Sequence, residues 1–216
     1  MADCLHRLVA VLLLACVFVA VGGDANAHPH VWVTVKSEVV YAADGSVTGV
    51  RHAWTFDDMF SAFATQGIDS KKKGEFTREE LAPLAEVNVT SLKEFDFFTN
   101  AKADGKKAAF NEPVDYYLEY KDNVLILNFT LPLKAPVKSK NLQVEIYDPT
   151  YFVDFSFAEN DPVALKNAPA ACKLAFARPN DPATQGRQVG EGFFNSLTPS
   201  SNYGAQFANK IAVTCP

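Results

Sequence analysis

Between residues 31 and 56 apolar and polar side chains alternate on both sides of Asp44-Gly45, and this pattern restricts the chain more than any other. Val31, Val33, Val35, Val39 and Tyr41 share one side of an extended segment, since successive strand side chains point to opposite faces. Asp-Gly supplies the positive-φ positions of a two-residue hairpin turn. Pairing Ala43 with Ser46 sets a register in which opposed residue numbers sum to 89. Val35 then faces Trp54, Val33 faces Phe56 and Val39 faces Val50, while Glu38 faces Arg51 as a cross-strand charge pair. A slip of one residue turns all of them to the wrong face. The register also puts His52 opposite Ser37 on the apolar side, where it reads as a packed strand histidine with one satisfied nitrogen.

Residues 57 to 98 change character. Asp58–Ile68 and Thr77 to about Lys93 read as two helices, with Asp58 as a cap for the first. The segment between them has the frame of a calcium-binding EF-hand loop: Asp69 at position 1, Gly74 at 6, Phe76 at 8 and Glu80 at 12, with Glu75 at 7. Lys71 and Lys73 occupy positions 3 and 5, where oxygen ligands are required. An ammonium there is a missing ligand and a like charge beside the ion, so the loop reads as degenerate and no calcium is expected; the plain alternative is a chance match. From Phe95 onward strand patterns return. Phe95–Lys102 and Lys107–Phe110 flank Asp104-Gly105, and Val114–Tyr120 and Val124–Leu133 flank Lys121-Asp122-Asn123. Leu142–Tyr147, Tyr151–Phe157 and Cys172–Ala177 follow, and residues 178 to 210 are rich in Gly, Pro, Asn and Ser with a helical turn near Glu191–Leu197. The predicted class is α+β: mainly antiparallel, sandwich-like β structure carrying a helical, EF-hand-like insertion at about 58–94.

The first 27 residues read as a signal peptide. Arg7 supplies the positive start, Leu8–Val21 the apolar run, and Gly22–Ala27 a small-residue cleavage region ending Ala25-Asn26-Ala27. A lipoprotein cut before Cys16 is the rival reading, and it would leave Val17–Val21 stranded beside the lipid. No later segment reaches the ~20 apolar residues of a membrane span. Cutting after Ala27 leaves residues 28–216, a length that suits a single β-rich domain with an insertion. The formal charge of −5 offers no basic field for nucleic acid, and Lys71-Lys72-Lys73 reads as a solvated loop. Cys172 and Cys215 remain after processing. An even pair in an oxidising compartment reads as a disulfide, clasping Ile211–Cys215 onto the strand near Cys172. The expected location is the periplasm.

Processing at Ala27 would also make His28 the first residue of the mature protein, followed by Pro29 and His30. Imidazole is the commonest protein ligand for zinc, copper and nickel. Residues i and i+2 of a strand share a face, so both rings can reach one ion, with Asp57 as a candidate third ligand and Asp148 as a weaker one. A free α-amine adds a copper option, although Pro29 has no amide proton to lose and so blocks chelation by successive backbone amides. The bland reading is two solvated histidines near a terminus. Catalysis has little support: there is no Gly-x-Ser-x-Gly, phosphate loop or Gly-x-Gly-x-x-Gly. Asp57, Asp58, Asp148 and Asp154 could do acid–base work, but read first as caps and turn formers, Asp148 preceding Pro149.

His28-Pro29-His30-Val31-Trp32-Val33, Trp54-Thr55-Phe56-Asp57, the degenerate loop leading to Glu79-Glu80-Leu81-Ala82, Tyr147-Asp148-Pro149-Thr150-Tyr151-Phe152, Gly204…Phe207-Ala208 and Val213-Thr214-Cys215 together resemble the DUF1007 family. Members of that family tend to carry a fuller Asp-x-Asp-x-Asp-Gly loop, from which Lys71 and Lys73 depart. The resemblance implies a periplasmic component of an uncharacterised ABC-type transport system, associated with nickel/cobalt-type exporters or permeases, and implies no reaction. The reading that follows is a periplasmic accessory or solute-binding protein, not an enzyme, that binds zinc, nickel, cobalt or copper through His28 and His30 and partners a membrane permease or metal exporter. The alternative is a β-rich module that docks on a permease without binding metal. A third reading, a copper-dependent oxidative enzyme built on the His28 amine, lacks a second histidine pair.

Overall fold

The computed structural model describes residues 28–179 and 191–216; the expected signal peptide lies outside them. The chain runs through β1 (Val31–Tyr41), β2 (Val47–Phe56), α1 (Asp58–Ala64), α2 (Arg78–Leu92), β3 (Thr99–Ala103), β4 (Lys106–Ala108), β5 (Val114–Lys121) and β6 (Val124–Val137). It continues with β7 (Asn141–Ile146), β8 (Val153–Phe157), β9 (Val163–Lys166), β10 (Lys173–Ala177), α3 (Glu191–Phe194) and β11 (Asn209–Thr214). One sheet has the order β5-β6-β2-β1-β8, with β9 also paired to β1; the other has the order β10-β11-β7-β3-β4. Their inward side chains, among them Val35, Trp54 and Leu127 from the first and Val144, Ile146 and Ile211 from the second, belong to one hydrophobic core. The α+β, β-rich class is as predicted.

The β1–β2 register matches the expectation from Val33 opposite Phe56 through Val40 opposite Gly49, including Glu38 with Arg51, whose side chains pair at 3.0 Å. The turn differs. Ala42 N–H donates to Ser46 O at 2.8 Å and Gly45 sits at φ +81°, so Ala43-Asp44-Gly45 form a three-residue loop. That loop alone would shift the register by one. A bulge at Thr48 restores it: Tyr41 faces Val47, Val40 faces Gly49, and the Thr48 hydroxyl donates to Val40 O. The apolar match therefore decides the register, and the turn adapts to it.

Other boundaries move for local reasons. α1 ends at Ala64 rather than Ile68, and its cap is Asp57, not Asp58: the Asp57 carboxylate accepts from Phe60 N–H at 2.7 Å. Buried Ser61 pins this helix to the sheet, donating to Asp57 O and accepting from Leu125 N–H. α2 begins as predicted, with Thr77 and Glu80 forming a reciprocal capping box. After α2 the chain makes 3-10 turns through Phe98, so the strand expected from Phe95 starts at Thr99. Asp96, Phe97 and Phe98 sit at φ of 51°, 55° and 48°, a left-handed region uncommon for bulky residues.

The sheets are mainly antiparallel, as expected, with a parallel exception at one edge. β8 and β9 run parallel to β1, with Val33 opposite Phe155 and Ser37 opposite Val163. Short hairpin connections impose antiparallel pairing, but β7 and β8 lie in different sheets. The loop between them carries the chain from one sheet to the other, and β8 takes the open edge of β1. Cys172 and Cys215 are disulfide-bonded beside the β10–β11 pair, which is the predicted clasp.

Candidate ligand cavity at the histidine pair

The two histidines precede β1 rather than lying on it. His30 and Val31 N–H groups both donate to Phe152 O, at 2.9 and 3.3 Å, which ties the entry of β1 to the β7–β8 loop. The sequence reading set Asp57 beside the pair; their neighbours are instead the aromatic rings of two other segments. His28 stacks on Phe194 with centroids 4.3 Å apart and planes 6° from parallel. His30 lies 4.7 Å from Phe152, and the two imidazole centroids are 4.5 Å apart, edge to face. Stacking uses the face of the His28 ring, whereas its nitrogens lie on the edge.

Both rings line a cavity of about 590 Å³. Asn88, Ser91 and Leu92 of α2 form one wall; their spacing of three and four residues puts them on one helix face. The 3-10 segment adds Phe95 and Phe98, the β7–β8 loop adds Asp148, Thr150 and Phe152, β8 adds Val153, and the end of α3 and the residues after it add Phe194, Asn195 and Leu197. Asp148 carries the one carboxyl group among the described lining residues, and the walls are otherwise chiefly aromatic and aliphatic.

The two predicted carboxylates fare differently. Asp57 does not line this cavity. Its Oδ1 caps α1 and its Oδ2 accepts from Trp32 N–H at 2.9 Å, so both oxygens serve backbone amides. Asp148 does line it, but as a turn former. Its Oδ1 accepts from Thr150 N–H at 2.7 Å and the Thr150 hydroxyl at 2.8 Å, and its Oδ2 from Val153 N–H at 2.9 Å. It is 3 % exposed and braces the loop that presents Phe152. Gly204 seals the outer side of that loop: a Cβ there would stand 1.7 Å from Asp148 O, so no larger residue fits while Gly204 N–H donates to Pro149 O. This contact physically joins the Tyr147–Phe152 and Gly204–Ala208 motifs. Among the described residues, no three His, Cys, Asp or Glu side chains converge on an ion-sized site. An ion held about 2 Å from one nitrogen of each ring would set two imidazole centroids about 5 Å apart, close to what the pair shows.

His52 stands elsewhere, in the core. Ser37 Oγ lies 2.9 Å from its Nδ1 and Thr99 Oγ1 3.3 Å from its Nε2. Thr99 directs its own proton to Phe97 O, so Nε2–H donates to Thr99 and Nδ1 accepts from Ser37. Burial pushes the imidazole down to about 3, keeping it neutral. The EF-hand-like loop is closed by its own backbone. Glu80, at position 12, accepts from Lys71 N–H at 2.9 Å and Thr77 N–H at 2.8 Å, and these amides, Thr77's first, hold its carboxyl below the usual range. Glu75 pairs with Lys72, Gly74 turns the chain at φ +78°, and Asp69 is exposed.

The wall residues are what sequence reading missed. The α2 face was legible as helical spacing and Phe152 as part of a motif, but nothing in the chain order ties Phe194 to His28. Among the described residues no helix is long and apolar enough to cross a membrane, and the disulfide fits an exported protein. An uncharacterized protein of Haemophilus influenzae is 26% identical over 213 residues, spanning 94% of this chain and 97% of the relative. An uncharacterized 15.5 kDa protein in the trpE 3' region of Spirochaeta aurantia is 31% identical over 99 residues, 45% of this chain and 71% of the relative. Residues 12–215 match the family described as Protein of unknown function (DUF1007), and the chain belongs to that family.

Proposed function

We propose that this protein is a periplasmic accessory or solute-binding component of a transport system and takes a divalent transition metal as cargo at His28 and His30. The observation that carries the reading is the edge-to-face contact of two imidazoles, centroids 4.5 Å apart, at the wall of a cavity of about 590 Å³. Zinc, nickel, cobalt and copper all accept imidazole nitrogen, and cleavage after Ala27 would add the His28 α-amine. Asp57, the third ligand expected from sequence, drops out of the proposed set because both its oxygens hold backbone amides. Asp148 supports the site by bracing its wall. Calcium is not part of the reading, because Glu80 already accepts two loop amides. No reaction is assigned. The test is a competitive titration of zinc, nickel and copper into protein processed to begin at His28. Submicromolar binding lost in His28→Ala with His30→Ala supports the proposal, and an unchanged affinity in that double variant sinks it.

A second reading, a module that docks on a permease without metal, draws on Met59 and Phe63. They are 70 % and 71 % exposed one turn apart on α1. It predicts that association with a membrane permease survives loss of both histidines and fails in Met59→Asp with Phe63→Asp.

A further inference from the structure

We infer that the cargo is a metal held by an organic chelator rather than a bare ion, an inference that rests on the metal reading above. Size is the first argument. A water occupies about 30 Å³ of liquid, so a hexahydrated ion needs on the order of 200 Å³, against about 590 Å³ here. The cavity falls instead within the range of roughly 300–1,000 Å³ typical of small-molecule sites.

The walls are the second argument. A hydrated ion wants oxygen donors around it, yet Leu92, Phe95, Phe98, Phe152, Phe194 and Leu197 present carbon. Such surface gains by covering an apolar or planar organic group, most of all where rings can stack. The few polar groups among the lining, Asn88, Ser91, Thr150 and Asn195, are neutral; Asn88, Ser91 and Thr150 donate to Leu84 O, Val87 O and Asp148, and their side-chain oxygens can still accept from a ligand.

Donor count is the third. The two imidazoles would fill half of a four-coordinate shell and the α-amine freed at His28 by processing one position more, so the protein alone leaves the shell open. The described carboxylates that sequence reading nominated are engaged, Asp57 by Phe60 and Trp32 amides and Asp148 by Thr150 and Val153. A bidentate chelator completes the shell from inside the cavity, with its metal facing His28 and His30 and its organic body against Phe152, Phe194 and the α2 wall. No bond changes other than exchange of two metal-bound waters for two ring nitrogens.

The experiment is isothermal titration of protein processed to begin at His28, using copper(II) and its one-to-one 2,2′-bipyridine complex as probes. The chelate is expected to bind at least about tenfold more tightly than the aquo ion. Leu92→Ala trims the α2 wall away from the ring contacts of His28 and His30, and Ser91→Phe fills the cavity from the exposed side of α2. Each is expected to lower chelate affinity roughly tenfold while bare-ion affinity stays within about twofold. The comparison of the two probes on the unaltered protein does not depend on either variant folding. Equal affinities for ion and chelate, unmoved by both wall variants, overturn the chelate proposal and leave the metal reading standing. Binding of neither probe overturns both. Bipyridine alone binding as tightly as its copper complex, with His28→Ala and His30→Ala without effect, overturns both as well and makes the cavity a site for metal-free organic ligands.

Discussion

His52 and the His28/His30 pair put the same side chain into two environments. His52 is 1 % exposed, sits between the sheets, and has a hydroxyl at each ring nitrogen. His28 and His30 meet aromatic faces at a cavity wall, before the first strand begins. In the core, desolvation and two hydrogen bonds fix the tautomer and hold the ring neutral, which removes it from both proton and metal chemistry. At the cavity, Phe194 and Phe152 hold the imidazoles by ring contacts, and the proposed metal would meet their edges. Function follows what contacts the nitrogens, not the presence of histidine.

The largest expected effect tests the core side of this contrast. The His52 pKa is depressed from 6.5 to about 3, so its favourable contribution is full above pH 6.5 and is lost as pH falls toward 3, where only the unfolded chain takes up the proton. Over that window the slope is about 1.4 kcal/mol per pH unit, amounting to several kcal/mol. Denaturation midpoints measured from pH 7 to pH 4 should show this slope in the unaltered protein and its loss in His52→Leu; parallel curves would show that the core histidine does not set acid sensitivity. At pH 7, His52→Ala should cost roughly 3 kcal/mol, because it opens a cavity and strands the Ser37 hydroxyl, while metal affinity stays unchanged.

The cavity side predicts the reverse. His28→Ala with His30→Ala should lower transition-metal affinity by at least about a hundredfold, or roughly 2.7 kcal/mol, with the unfolding free energy within about 0.5 kcal/mol of the unaltered protein. A large stability loss would mean that the pair is as structural as His52. Asp57→Ala gives a smaller and diagnostic effect: about 1 kcal/mol of stability from the lost helix cap, seen in chemical denaturation, and no change in metal affinity. A parallel loss of affinity would return Asp57 to the ligand set.

Much of the fold was legible because it rests on local patterns. The β1–β2 register followed from Val33, Val35 and Val39 facing Phe56, Trp54 and Val50, and it survived a wrong turn assignment because burial outweighs turn preference. The start of α2 at Thr77 and the Cys172–Cys215 bond were equally readable. The parallel edge was not. β8 and β9 reach β1 from more than a hundred residues away, and no local pattern encodes which edge is open. The same holds for the roles of the carboxylates. Asp57 and Asp58 are adjacent and chemically identical, and only helix geometry selected Asp57 as the cap.

By itself, then, the sequence determined the residue types available for chemistry, the hairpin register, the start of α2 and the cysteine pair, since each depends on spacing along the chain. The cavity was decided by tertiary structure alone. Its walls come from the β1 entry, α2, the β7–β8 loop and the α3 segment, and they meet because the two sheets bury one shared core. Ring contacts such as His28 on Phe194, 166 positions apart in the chain, are consequences of that burial and of no pattern in either segment.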